Sequence, residues 1–139
     1  LEPHFIEPSV GIYRLFLMLL ADAYWEDVAN KRKVLKLKPS LAPYKTAVFP
    51  LLKNKSDLVN QAETVFELLA PQLPTTWDDR GNIGKRYYYQ DEIGTPFCVT
   101  IDFQTLDDQA VTVRHRDTAQ QERVNISQLL DYLHAQEGM

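Results

Sequence analysis

A mixed α/β sheet of about five strands, flanked by three helices and preceded by a separate N-terminal helix, is the fold this sequence predicts. From residue 46 onward, short β-branched runs alternate with helical periodicity: Thr46–Phe49, Ser56–Leu69, Thr75–Trp77, Ile83–Ile93 and Pro96–Asp102. Connections this short imply right-handed crossovers and a parallel sheet. The pattern then changes to a period of two over Ala110–His115 and Gln121–Val124, separated by the turn RDTAQ, which predicts an antiparallel hairpin. With 139 residues, 45% of them hydrophobic, and a single cysteine, the chain has enough apolar surface for one core without disulfides.

In chain order, Val10 to Asp27 places Ile12, Leu15, Phe16, Leu19, Leu20, Ala23 and Tyr24 at steps of three and four, a helix with a wide apolar face and Ser9 as its expected N-cap. Tyr13, Arg14 and Asp22 interrupt the run, so it is not a membrane span. The start, LEPHFIEPS, has no basic region typical of a signal peptide and reads as a chain entered partway through. In VANKRKVLKLKPSLAPYK, Leu35 to Lys38 alternate after Val34 until Pro39 and Pro43, which predicts a short extended connector. The helix from Ser56 groups Leu58, Val59, Ala62, Val65, Phe66 and Leu69 on one face, with Ser56 or Asn54 as N-cap and Pro71 and Pro74 beyond its end. The next helix, Ile83–Ile93, turns Ile83 and Tyr87 to the sheet and Lys85, Arg86, Tyr89 and Gln90 elsewhere. Gly94 is placed for a left-handed C-cap, and Pro96 prevents continuation. Asp91 and Glu92 lie at the negative end of that helix and call for a cation such as Lys85, Arg86 or Arg114. A closing helix covers Ile126–His134, with His134 as a cation at its C-terminal end.

The formal net charge of −4 excludes a generally basic nucleic-acid coat, but residues 31–55 carry Lys31, Arg32, Lys33, Lys36, Lys38, Lys45, Lys53 and Lys55 and no acid. Such a run either attracts phosphate locally or is a solvated linker. Cys98, within PFCVTI, is expected as a small core residue in a reducing, cytosolic protein, and His4, His115 and His134 assemble no nucleophile–base–acid set. Gly81-Asn82-Ile83-Gly84-Lys85 has neither the spacing of a Walker loop nor the three glycines of a dinucleotide fingerprint, so turn chemistry accounts for it best. Arg, Lys and Tyr near the ends of parallel strands do suit unpaired RNA bases, which are bound by stacking and by contacts to their edges. If the strand extends to residue 116, Arg114 and Arg116 share one face and His115 takes the other; a solvated strand end is the alternative.

EPSVGIYR at 7–14 resembles the third signature motif of class II aminoacyl-tRNA synthetases, in the form found in glycyl-tRNA synthetases. LAPYKTAVFPLLKNK, WDDRGNIGKRYYYQDEIGTPFCVTID and VTVRHRDTAQQERV are similar, in matching order, to the anticodon-binding domain of that family. The resemblance implies a tail of a class II catalytic domain over 1–30, a connector over 31–43 and an anticodon-binding domain over 44–139. It implies that Glu7, Ser9 and Gly11 face glycine, that Gly11 and Arg14 lie against ATP, and that the parent enzyme uses ATP and magnesium while the isolated chain needs no cofactor. Lys53, Arg80, Lys85, Arg86, Tyr88, Tyr89, Arg114 and Arg116 become candidate contacts to the anticodon arm of glycine tRNA. A cytoplasmic, homodimeric parent without membrane contact follows from the same resemblance. The first two class II motifs lie outside these residues, so this polypeptide alone is expected to lack ligase activity. The competing expectation is a related module that binds or dimerises with protein and never touches RNA.

Overall fold

The computed structural model describes residues 1–137. Its elements are α1 (Ile12–Ala23), β1 (Tyr24–Asp27), β2 (Arg32–Leu35), β3 (Thr46–Pro50), α2 (Ser56–Leu69), β4 (Thr75–Trp77), α3 (Ile83–Ile93), β5 (Phe97–Ile101), α4 (Phe103–Asp108), β6 (Ala110–His115), β7 (Gln121–Asn125) and α5 (Ile126–Glu137). The main sheet has the order β4-β3-β5-β6-β7, with β4, β3 and β5 parallel and β6 and β7 antiparallel to their neighbours. Every residue of β3 and β5 is buried, as expected where helices cover both faces of a parallel sheet.

Burial follows strand alternation. Val48, Val99, Ile101, Val111 and Val113 pack with Leu58, Ala62, Val65 and Leu69 of α2 and Leu129 and Leu133 of α5. Alternate residues Ala47, Phe49 and Cys98 meet Ile83 and Tyr87 of α3 on the opposite face. Fully burying a side chain such as Leu58 contributes roughly 1.5–3 kcal/mol, so loss of the α2 stripe would remove much of the domain's net stability. Cys98 is a core residue as expected, and burial pushes its thiol pKa up.

The N-terminal third departs from its expected form. Helix α1 stops at Ala23 rather than Asp27, because Tyr24 to Asp27 pair antiparallel with Arg32 to Leu35. Tyr24 continues the helical spacing, but the aromatic pair Tyr24-Trp25 suits a strand, and Asp27 closes the turn after it. Its carboxylate accepts hydrogen bonds from the Asn30 backbone N–H at 3.2 Å, the Asn30 side-chain Nδ2 at 2.8 Å and Arg32 Nε at 2.8 Å. The hairpin therefore straddles the expected boundary at residue 30. Gly11, not Ser9, occupies the N-cap of α1, and Lys55 precedes α2 with Ser56 already helical; neither helix has a side-chain cap. Only Ala23 of α1 is buried, and Ile12, Tyr13, Leu17 and Met18 stand exposed.

Two short segments owe their form to local capping. The six-residue helix α4, too short to show periodicity, begins at a capping box in which Asp102 accepts from the Thr105 backbone at 2.9 Å. Gly94 caps α3 in the left-handed region at φ 84°, and a Cβ there would lie 2.9 Å from Leu37 Cδ1 and 3.2 Å from Leu35 O. Glycine thus satisfies both the cap and the close passage of the connector.

Candidate functional site

Ligands of open α/β sheets favour the crevice outside the carboxyl ends of parallel strands, where strand order reverses. Here the chain leaves β3 for β4 on one side and returns to β5 on the other, so the reversal lies between β3 and β5. Loops 51–55 and 78–82 and the first turns of α3 and α4 gather at that end.

Arg86 builds the loop. Its Nη1 donates to Pro50 O at 2.6 Å, Nε to Arg80 O at 3.0 Å, and Nη2 to Gly81 O at 3.0 Å and Asp79 O at 3.3 Å. Gly81 at φ 61° turns the chain so that three successive carbonyls converge, and a planar five-donor fork can serve them together with the end of β3. The side chain expected at the surface is accordingly buried at 3% exposure, and Gln90 is also buried, accepting from Thr95 Oγ1 at 2.6 Å.

Outside this scaffold lies an exposed layer. The Arg80 guanidinium sits 5.6 Å from the Tyr89 ring centroid, while its Nε and Nη2 donate to the two oxygens of Asp78 at 3.0 and 3.3 Å. Burial would raise the Asp78 pKa, but hydrogen bonds from the Arg80 side chain and backbone outweigh it and hold the carboxyl below its ordinary value. Asp78, Arg80, Lys85 and Tyr89 border a groove of about 350 Å³. Lys85 and Lys53 are exposed, and Asn82 caps α3 by accepting from the Lys85 backbone at 2.9 Å. Tyr88 is exposed on the hairpin side, its hydroxyl donating to Asn30 O at 3.5 Å.

Arg114 and Arg116 take internal positions instead. Arg114 makes a bidentate pair with Asp91, Nη1 to Oδ1 at 2.8 Å and Nη2 to Oδ2 at 3.0 Å, and lies 4.8 Å from the Tyr87 ring centroid. Of the cations expected for Asp91, Arg114 is the one that pairs with it. Arg116 donates Nη1 to Gly94 O and Nη2 to Leu37 O, both at 2.7 Å. Both arginines are buried, whereas His115 faces the other way, against Phe97 and the Tyr132 hydroxyl. Lys45 is likewise engaged by the connector, donating to Ala42 O at 2.9 Å. The strand end is thus a packed junction, neither a solvated terminus nor a free basic face.

A further polar surface corresponds to no sequence motif. Thr100, Thr112 and Arg123 stand side by side across β5, β6 and β7 in the observed register. Arg123 donates to Asp102 Oδ2 at 2.8 Å and to Asp108 at 2.9 and 3.0 Å, and Tyr87 and Thr100 hydroxyls meet at 2.7 Å. A weak signal does exist, since Thr100, Thr112 and Arg123 are the polar alternates of their strands. Glu7, Ser9, Gly11 and Arg14 are all exposed.

These carboxylates give the fold an acid limit. Burial raises the pKa of Asp102, but the Thr105 N–H and Arg123 lower it further; Asp108 is lowered first by the Ala110 N–H and then by Arg123. A depressed folded-state pKa contributes stability above the unfolded value that is lost as pH falls through the folded one. The melting temperature is therefore expected to be nearly flat from about pH 7 to 5 and to drop progressively below about pH 4. Asp102→Asn should reduce that drop. Circular-dichroism melts across this range test it, and an unchanged acid limb in the variant would count against the assignment.

Among the described residues no helix is long and apolar enough to cross a membrane. The family model of the anticodon binding domain matches residues 45–136. The chain is 51% identical over 134 residues to a glycine–tRNA ligase of Alkaliphilus oremlandii, covering 94% of this chain and 28% of that protein. It is 51% identical over 138 residues to the glycine–tRNA ligase of Streptomyces coelicolor, covering 94% and 30%. With that of Mycoplasma capricolum the figures are 52% over 134 residues, covering 94% and 29%. The chain thus spans less than a third of the length of these curated relatives, matching a C-terminal part of them.

Proposed function

Because the chain belongs to the anticodon-binding domain family, we propose that it grips the anticodon arm of glycine tRNA with the exposed layer formed by Arg80, Lys85 and Tyr89. The observation that carries this reading is the Arg80–Tyr89 cation–π contact beside Asp78 at the carboxyl ends of the parallel strands. An unpaired base can stack against such a layer, with the buried Asp78 carboxylate holding Arg80 in place behind it. Lys53 and Lys85 supply charge for phosphates, with Tyr88 as a second aromatic surface. Arg86, Arg114 and Arg116 act behind this surface by holding the loop, the end of α3 and the connector in place.

Joining glycine to the tRNA, with its need for ATP and magnesium, is a reaction we place in the complete, cytosolic and homodimeric ligase. Glu7 and Ser9 have the chemistry to meet glycine and Arg14 to meet ATP, with Gly11 leaving room between them. All four are exposed, and no catalytic step is assigned to them.

Binding of a synthetic anticodon stem–loop of glycine tRNA tests the proposal. Affinity is expected to fall steeply between about 50 and 200 mM salt, and Lys85→Ala to reduce the logarithmic salt slope by about 1. Tyr89→Ala should cost about 1–3 kcal/mol, roughly 5- to 150-fold in Kd. No salt-sensitive binding by the unmodified chain would overturn the proposal and favour a protein partner.

A further inference from the structure

The helix proposed to carry the RNA surface is also the helix on which the N-terminal hairpin is anchored. Asp91, in the last turn of α3, is completely buried. Its Oδ2 accepts from Arg114 Nη2 at 3.0 Å and also from Arg32 Nη1 at 3.2 Å, and Arg32 belongs to β2. The same Arg32 nitrogen donates to Arg116 O at 2.7 Å, and Arg116 in turn holds Leu37 O, two residues beyond β2. Arg32 is only 4% exposed, so the attachment is an internal joint and not a surface ion pair. On its other side the hairpin continues directly into α1, and the Lys36 N–H donates to Ala23 O at 2.7 Å to close its base.

We infer that Asp91 is a positioning residue that couples RNA binding on α3 to the orientation of the β1–β2 hairpin, and through the hairpin to α1. The inference rests on the reading of α3 as the RNA-binding helix. A buried carboxylate with two guanidiniums has few alternative arrangements, so ordering α3 by RNA reduces the freedom left to Arg32. By reciprocity, a docked hairpin favours the RNA-bound form of α3 by the same factor.

Amide hydrogen exchange of the full chain, with and without the synthetic anticodon stem–loop, tests this. In the unmodified chain RNA should slow exchange in α3 and also in residues 24–35, the latter roughly fivefold or more. In Arg32→Gln, RNA should still protect α3 but leave the hairpin unprotected. Arg32→Lys, which keeps the charge but cannot span all of these acceptors, should fall between and supplies the comparison should Arg32→Gln fail to fold. A purely structural role would change hairpin exchange equally with and without RNA; only coupling alters the RNA-dependent difference. Protection of α3 without the hairpin in the unmodified chain overturns the inference, as does equal RNA-dependent hairpin protection in the variants. No protection anywhere, α3 included, overturns the RNA reading itself and the inference with it.

Discussion

Asp91→Ala is expected to lower the free energy of unfolding by about 3–5 kcal/mol, the cost of leaving buried guanidiniums without their counter-ion. Arg114 would lose both of its strong acceptors, and Arg32 would keep Asp27 but lose its link to α3. Among the described residues the one other carboxylate paired with either arginine is Asp27, which the hairpin turn already occupies. Urea denaturation at an unchanged m-value measures the loss. Adding Arg114→Met to Asp91→Ala should restore part of it, since removing both members of a buried pair costs less than removing one. A loss below about 1 kcal/mol would mean that water reaches the guanidiniums and that the joint is weaker than its geometry implies.

Arg86→Met is expected to cost roughly 2–4 kcal/mol, because the carbonyls of Pro50, Asp79, Arg80 and Gly81 lose their donor. The functional consequence separates scaffold from reader. With the loop released, the Arg80–Tyr89 layer loses its position, so affinity should fall for the anticodon stem–loop of glycine tRNA and for one with altered anticodon bases by similar factors. Tyr89→Ala, in contrast, should weaken binding with little change in stability, since its side chain is half exposed. Unaltered stability with a selective loss for the glycine sequence would place Arg86 in contact with bases after all.

The range of each interaction decides whether the sequence discloses it. Helix α2 and strand β6 are legible because one-sided burial imposes a period, β3 and β5 because short β-branched, apolar runs suit strands covered on both faces, and the end of α3 because its Gly94 cap requires a positive φ. The partner of Asp91 is legible as a charge requirement at a helix end. The destination of Arg86 is not, since neither periodicity nor charge records that four backbone oxygens converge beneath it. The hairpin misleads for a different reason: Tyr24 fits both the helical spacing and a strand, and the deciding contacts of Asp27 with Asn30 and Arg32 involve a turn whose positive-φ residue is Lys31 rather than a glycine. Resemblance carries the family assignment, yet it gives the same surface role to arginines that the fold divides between an exposed layer and a buried frame.

The joint also imposes an order of events during synthesis. Arg32 meets a partner 59 residues later in the chain, and Leu37 meets one 79 residues later. At translation rates of roughly 5–20 residues per second, Leu37 is added to the chain about 4–16 s before the residue that holds it has been made. For that interval the hairpin's inner face is without a partner. The uninterrupted cations Lys31, Arg32 and Lys33 then have a second value, as a repulsive segment that discourages premature association of nascent chains until Asp91 and Arg116 arrive.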